Sequence, residues 1–165
     1  MTEPRERRGP IAIDSVPWEE FSRGVRFGNR FRVLSSARGG RNKIGVSYEE
    51  LPPGKQSVPF HYHLVEEEHI VALEGECTLR LGDARYTLRA GDYVGFPAGE
   101  RVGHCLINET DAPFRFIMIG DHADHEVAVY PDSNKVLIRG LDGALLRDEN
   151  RLDYFDGEKA DEPPK

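Results

Sequence analysis

Between residues 39 and 113 turn signals interrupt the chain about every eight to ten residues, a spacing too tight for ordinary helices. They are Gly39-Gly40, Pro52-Pro53-Gly54, Gly75, Gly82-Asp83, Ala90-Gly91-Asp92, Pro97-Ala98-Gly99 and Asp111-Ala112-Pro113. Glycine permits backbone angles that other residues avoid, and proline removes an N–H, so each signal ends whatever precedes it. The segments between them read as short strands over 31–37, 43–51, 58–63, 67–73, 77–81, 85–88, 93–96, 102–108 and 114–119. Within them, Thr78-Leu79-Arg80-Leu81 and Arg85-Tyr86-Thr87-Leu88-Arg89 alternate polar and apolar side chains, as half-buried antiparallel strands do. The expectation is an all-β sandwich or barrel. Beyond Ile119 the pattern thins: 135–139 reads as an edge strand, and 141–152 carries no clear signal.

The ends read differently. Residues 1–24 form an N-terminal arm, with a helical turn expected over Pro17-Trp18-Glu19-Glu20-Phe21 and Trp18 anchoring the arm to the β domain. The β domain is expected over 25–140, and 141–165 is a short C-terminal extension. From Arg147 onward it holds four basic and seven acidic residues, so its last dozen or so residues are expected to be mobile.

Composition excludes several classes of function. At 165 residues and 18.6 kDa the chain suits one domain with a core of its own. Its formal net charge is −7, and the basic residues Arg5, Arg7, Arg8, Arg38, Arg41 and Lys43 are scattered through ends and loops. A nucleic-acid partner is therefore not expected, because such binding needs a gathered basic face. The longest apolar runs, Ile70–Leu73 and Phe116–Ile119, are four residues long, against the roughly 20 of a spanning helix, so no membrane partner is expected. The opening MTEPRERRGP lacks the apolar stretch of a secretory signal, and two cysteines, Cys77 and Cys105, make no disulfide framework. A cytoplasmic location with reduced thiols is the expectation.

Six histidines are present, and two of them, His61 and His63, sit close to a carboxylate in a pattern with chemical meaning. On a strand, period-two geometry points His61 and His63 to one face. After four intervening residues comes Glu68, at the start of the next strand. If Glu68 shares that face, two imidazoles and a carboxylate converge across a hairpin, a set that holds a first-row divalent ion and leaves positions open. His104, in a later strand, is a fourth candidate. Imidazole suits Zn, Mn, Fe, Ni and Cu alike, so the identity of the metal stays open.

These residues resemble the cupin superfamily. Its first motif is matched by Gly54, His61, His63, Glu68 and Gly75, and its second by Gly91, Pro97-Ala98-Gly99, His104 and Asn108, so the core motifs span 54–108. Two spacings depart from the pattern. Six residues rather than five separate Gly54 from His61, and four rather than two separate Gly99 from His104. Strict register would put Val102 at the ligand position and leave three protein ligands. The face shared by Val102 and His104, and the three residues kept between His104 and Asn108, favour a longer turn with His104 retained.

The resemblance implies a double-stranded β-helix, the jelly-roll barrel, over 25–140. It implies one divalent metal ion (Zn, Mn, Fe or Ni) on His61, His63, Glu68 and His104, and a homodimer that exchanges strands from residues 25–50. It also implies a small-molecule substrate or ligand. The leading expectation is an isomerase-like enzyme acting on a sugar phosphate or organic acid, with Glu68, a nearby acid or a tyrosine moving the proton. An iron-dependent dioxygenase and a non-catalytic binding module are the alternatives. Among the remaining residues, Glu66 and Glu67 are expected to be exposed, with Glu67 the fallback ligand. His69 has the wrong parity for the site, and His122 and His125 are expected at the surface. Arg101 is a candidate for an anionic substrate, and Tyr62 should point away from the metal.

Overall fold

In the computed structural model, residues 9–37, 39, 42–149 and 152–157 are described. Arg5, Arg7, Arg8, Arg38, Arg41 and the end of the tail lie outside them. Thirteen strands account for nearly half of these residues: β1 (Glu19–Arg23), β2 (Phe27–Val33), β3 (Ile44–Leu51), β4 (Tyr62–His63), β5 (Glu68–Glu74), β6 (Glu76–Leu81), β7 (Ala84–Arg89), β8 (Tyr93–Phe96), β9 (His104–Ile107), β10 (Phe114–Asp121), β11 (Val127–Tyr130), β12 (Lys135–Ile138) and β13 (Ala144–Arg147). The helical segments are 3₁₀ turns over Ile13–Ser15, Pro131–Ser133 and Arg139–Leu141. No helix among the described residues is long and apolar enough to cross a membrane.

One sheet runs in the order β1-β2-β3-β10-β5-β8. The opposing layer has two parts, β7-β6-β9 and β13-β12-β11-β4, joined at a single point. There His61 and His104 exchange backbone hydrogen bonds, 3.2 Å from His61 N–H and 2.7 Å from His104 N–H. The two layers share one core, built from Leu51, Ile70, Ala72, Cys77, Leu79, Leu88, Phe96, Leu106, Phe114 and Phe116. Alternation decides which residues enter it: Phe114 and Phe116 of β10 are fully buried, while Arg115 between them points out to Glu50 and Glu74. This is the all-β barrel expected from the turn spacing, in the jelly-roll form that the resemblance implies.

Three local readings change. The helical turn expected over Pro17–Phe21 is instead strand β1, paired with β2 from Glu19↔Phe31 to Arg23↔Phe27. The edge of β2 offers those residues backbone partners that a single helical turn could not match. The segment expected as a strand over 58–63 is regular only at Tyr62–His63, because from Gln56 to His61 it makes isolated bridges. β11, hidden in the thin region after Ile119, pairs with β4 through Ala128↔His63 and Val129↔Tyr62. Trp18 does anchor the N-terminal segment: it packs on Tyr48 with ring centroids 5.6 Å apart and lies under the guanidinium groups of Arg30 and Arg32.

Candidate metal centre

Four side chains from both layers meet at the junction where the second layer is joined. His61 and His63 flank the start of β4, His104 opens β9, and Glu68 opens β5 on the opposite sheet. One ligand atom from each of the four lies within 4.8 Å of the others. The individual separations are 3.0 Å between the Nε2 atoms of His61 and His63, and 3.1, 3.5 and 3.9 Å from Glu68 Oε2 to His104, His63 and His61. Donors each about 2.1 Å from one ion sit roughly 3–4 Å from one another, so the spacing fits a single metal ion.

The surroundings also fix which nitrogen faces the centre. His61 Nδ1 lies 2.9 Å from the carbonyl oxygen of Pro59, an acceptor only, so the ring donates from Nδ1. His63 Nδ1 lies 3.3 Å from a carboxylate oxygen of Glu126, again an acceptor. In their neutral forms both rings therefore carry a lone pair on Nε2, and these lone pairs face each other at 3.0 Å. Two facing lone pairs repel unless a proton or a cation lies between them. His104 is held flat against Phe96, ring centroids 3.7 Å apart and 5° from parallel, and its buried Nδ1 has no hydrogen-bond partner among the described residues.

The electrostatics follow from burial and crowding. Burial, then the adjacent His104, pulls His61 down to about 4. Burial acts the same way on His63, but the hydrogen bond and charge of Glu68, with Glu126 behind, outweigh it and raise the ring. Burial opposes ionisation of Glu68, yet hydrogen bonds from His104 and His63 hold its carboxyl below the usual carboxylate range. The centre presents one carboxylate and three imidazoles.

A cavity of about 320 Å³ opens onto His63 and Glu68, with Ser47, Met118 and Gly120 on its barrel side and Glu66, Asp121 and Arg139 at its rim. Deeper in the barrel, Glu49 is hydrogen-bonded by Asn29 and Ser47, both at 2.5 Å. Burial keeps its carboxyl above the usual range against those two bonds, and Glu68 lies near enough to add to the effect. Tyr130 stacks on His61 at 5.7 Å. A larger hollow of about 690 Å³ lies on the outer face of the six-stranded sheet, lined by Trp18, Arg30, Arg32, Tyr48, Glu50 and Arg115. Its guanidinium groups are engaged by Glu50 and by the carbonyls of Ile13 and Val16, so it mainly ties down the N-terminal segment.

Of the lesser candidates, Glu67 is exposed, as expected, and lies outside the cluster. His122 and His125 are exposed, as expected, and His69 turns to the outer face, where Nδ1 meets the Tyr93 hydroxyl at 2.8 Å. Cys77 and Cys105 are free, buried thiols. Arg101 is exposed and takes no part in lining the cavity. Glu66 corrects the expectation of an exposed hairpin residue: it is 5% exposed, because Arg139 grips its carboxylate with both Nη atoms and the Ala123 N–H donates to it at 2.6 Å. The sequence reading missed Glu126, Arg139, Glu49 and Tyr130. Among 29 acidic residues no local pattern marks out Glu49 or Glu126. A second trio, His63, Glu66 and Glu126, has metal-like spacing, but Arg139 and backbone N–H groups already occupy its carboxylates.

The Cupin domain model matches residues 47–120. A sugar phosphate isomerase of the cupin superfamily from Silicibacter pomeroyi superposes with a TM-score of 0.76 at 28% identity, over 88% of this chain and 98% of that one. A provisionally named sugar phosphate isomerase from Acidithiobacillus ferrooxidans gives 0.71 at 30% identity, over 78% of this chain and 85% of that one. A provisionally named oxalate decarboxylase from Thermotoga maritima, at 22% identity and a TM-score of 0.61 over 70% of this chain and 100% of that one, shares the fold. No curated protein matches the chain.

Proposed function

The chain belongs to the cupin superfamily, and on that footing we propose that it is a divalent-metal cupin with isomerase-like activity on a small oxygenated substrate. The observation that carries this reading is the convergence of His61, His63, Glu68 and His104, of which His63 and Glu68 line an open cavity of about 320 Å³. A divalent ion held there supplies a Lewis acid for a carbonyl or hydroxyl oxygen of the substrate. Glu68 is kept ionised by its histidine neighbours and serves as the acceptor end of a proton path. Glu49, kept protonated more readily by burial, and Tyr130 beside His61 are the groups that can return a proton.

Two relatives carry sugar phosphate isomerase names. The rim here pairs one guanidinium, Arg139, with Glu66 and adds Asp121, so it offers little uncommitted positive charge for a phosphate. That balance favours a hydroxy-carbonyl compound of low charge, such as a sugar or a hydroxy acid. The test has two parts. Protein purified without a metal-binding tag should hold one divalent ion per chain, and His61→Ala and His63→Ala should lose most of it while the strands remain. In D₂O, the carbon beside the substrate carbonyl should take up deuterium. Full metal in both variants defeats the site. Iron with oxygen uptake and no exchange would identify a dioxygenase instead, and binding without turnover a carrier module.

A further inference from the structure

Glu126 lies outside both cupin motifs and six residues beyond the end of the matched domain. Its carboxylate is wholly buried, at 0% exposure. A charge so placed is costly unless donors surround it, and here three N–H groups do. Leu64 N–H reaches Oε1 at 3.1 Å, Glu66 N–H reaches Oε2 at 2.5 Å, and His63 Nδ1 lies 3.3 Å from Oε1. The first two hold the loop between His63 and Glu68, and the third holds the ring of His63. The mount is stiff on its own side too. Glu126 leads into β11, the strand that pairs with His63 itself, and its backbone carbonyl accepts the Arg139 N–H at 2.9 Å. Arg139 then grips Glu66 at the far end of the same loop.

We propose that Glu126 is a positioning residue for the metal centre: it keeps the proton of His63 on Nδ1 and so turns the Nε2 lone pair toward His61, His104 and Glu68. The proposal rests on the reading of His63 as a metal ligand. An ionised carboxylate only accepts, so a neutral His63 bonded to it must donate from Nδ1. Partners of this kind orient ligand histidines and typically account for 10–100-fold in metal affinity. Without Glu126 the ring could turn over or take its other tautomer, and two loop N–H groups would lose their acceptor.

The experiment begins with metal-free protein at alkaline pH, where ring ¹⁵N chemical shifts report the tautomer of each histidine. Wild type should show His63 protonated at Nδ1. Glu126→Gln should let an Nε2-protonated population appear and weaken Zn²⁺ binding, measured by competition with a chromophoric chelator, by about 10–100-fold. Glu126→Asp, which keeps the charge but withdraws it by one methylene, should fall between. An Nε2-protonated His63 in wild type overturns the proposal and needs no variant to fold. A Glu126→Gln protein with unaltered tautomer also overturns it, whether or not affinity falls, because Glu126 would then be a loop brace alone. Failure of the metal reading looks different: His63→Ala would keep its metal while the wild-type tautomer stayed as expected.

Discussion

Val102 and His104 are two residues apart, yet Val102 is 38% exposed and His104 is 4% exposed. The difference comes from the loop that follows the Pro97-Ala98-Gly99 turn, where Gly103 is buried beneath Phe60 and gives its carbonyl to Gly82 N–H at 2.8 Å. The extra residues are thus taken up before β9 begins, and His104 starts the strand. His104→Ala is therefore expected to weaken metal binding strongly, whereas Val102→Ala should leave metal content near wild type, as read by elemental analysis. Proximity in sequence explains why His61, His63 and Glu68 were legible: a period of two and a four-residue loop bring them together. Glu126, 63 residues from His63, has no such local signature. The thiols allow a separate test. Burial raises Cys77 to about 12 and Cys105 to about 11. Native protein should resist thiol reagents at mildly alkaline pH and react fully once unfolded. The unfolded chain releases these protons near pH 8.5 and the folded chain only near 11–12, so between those values stability falls as pH rises, by up to ~1.4 kcal/mol per pH unit per thiol. Comparing the alkaline limb of Tm against pH in wild type and Cys77→Ala checks the sign.

At the scale of elements, the C-terminal strands act as a buttress for the loop that carries the ligands. β4 is only two residues long and its ladder partner is β11, with β12 and β13 continuing the sheet. The Glu66–Arg139 pair pins that sheet to the loop, with Glu66 nearly buried and Arg139 about one-third exposed. Its worth lies between the ~1 kcal/mol of a surface pair and the ~3–5 kcal/mol lost when a fully buried pair is broken. Arg139→Met, which strands the Glu66 carboxylate, should destabilise more in denaturant titrations than Arg139→Met combined with Glu66→Leu. A double-variant loss equal to the sum of the Arg139→Met and Glu66→Leu losses would show that the two residues do not act as a pair. Gly103 gives a second test at this scale. A Cβ there would sit 2.4 Å from Phe60, whose ring is buried and carries the Arg80 guanidinium 3.6 Å above it. Gly103→Ala should cost about 1–3 kcal/mol and loosen His104 with it. β2 (Phe27–Val33) begins four residues ahead of the expected 31–37, but most strands from β3 to β10 could be read from turn spacing, because each is bounded by its own punctuation. β1 and β11 could not, since the first is exposed throughout and the second lies among charged loop residues, so neither shows a hydrophobic period.

For the whole molecule, the outer face of the six-stranded sheet sets the remaining expectation. Register places Tyr48, Ile117, Val71 and Tyr93 side by side across β3, β10, β5 and β8, a row perpendicular to the strands whose Tyr48 end is covered by Trp18. Tyr93 is 63% exposed and Leu73, on the same face of β5, is 45% exposed. Scattered apolar residues at a surface need no explanation, but a contiguous row on a sheet face is the kind of surface through which chains associate. A second copy of the chain fits such a face, since two equivalent sheets related by a two-fold axis present the same row to each other. The metal centre opens on the other side of this sheet, inside the barrel, so pairing through the outer face leaves the cavity free. The protein should therefore run at about twice 18.6 kDa by light scattering. Ile117→Asp, at the middle of the row, should return it to a monomer without loss of bound metal, because Ile117 points away from Glu68 and the core. A wild-type monomer at micromolar concentration would count against the face as an interface. A dimer that survives Ile117→Asp would move the contact elsewhere, with strands from residues 25–50, expected from the resemblance to exchange between copies, the next place to look.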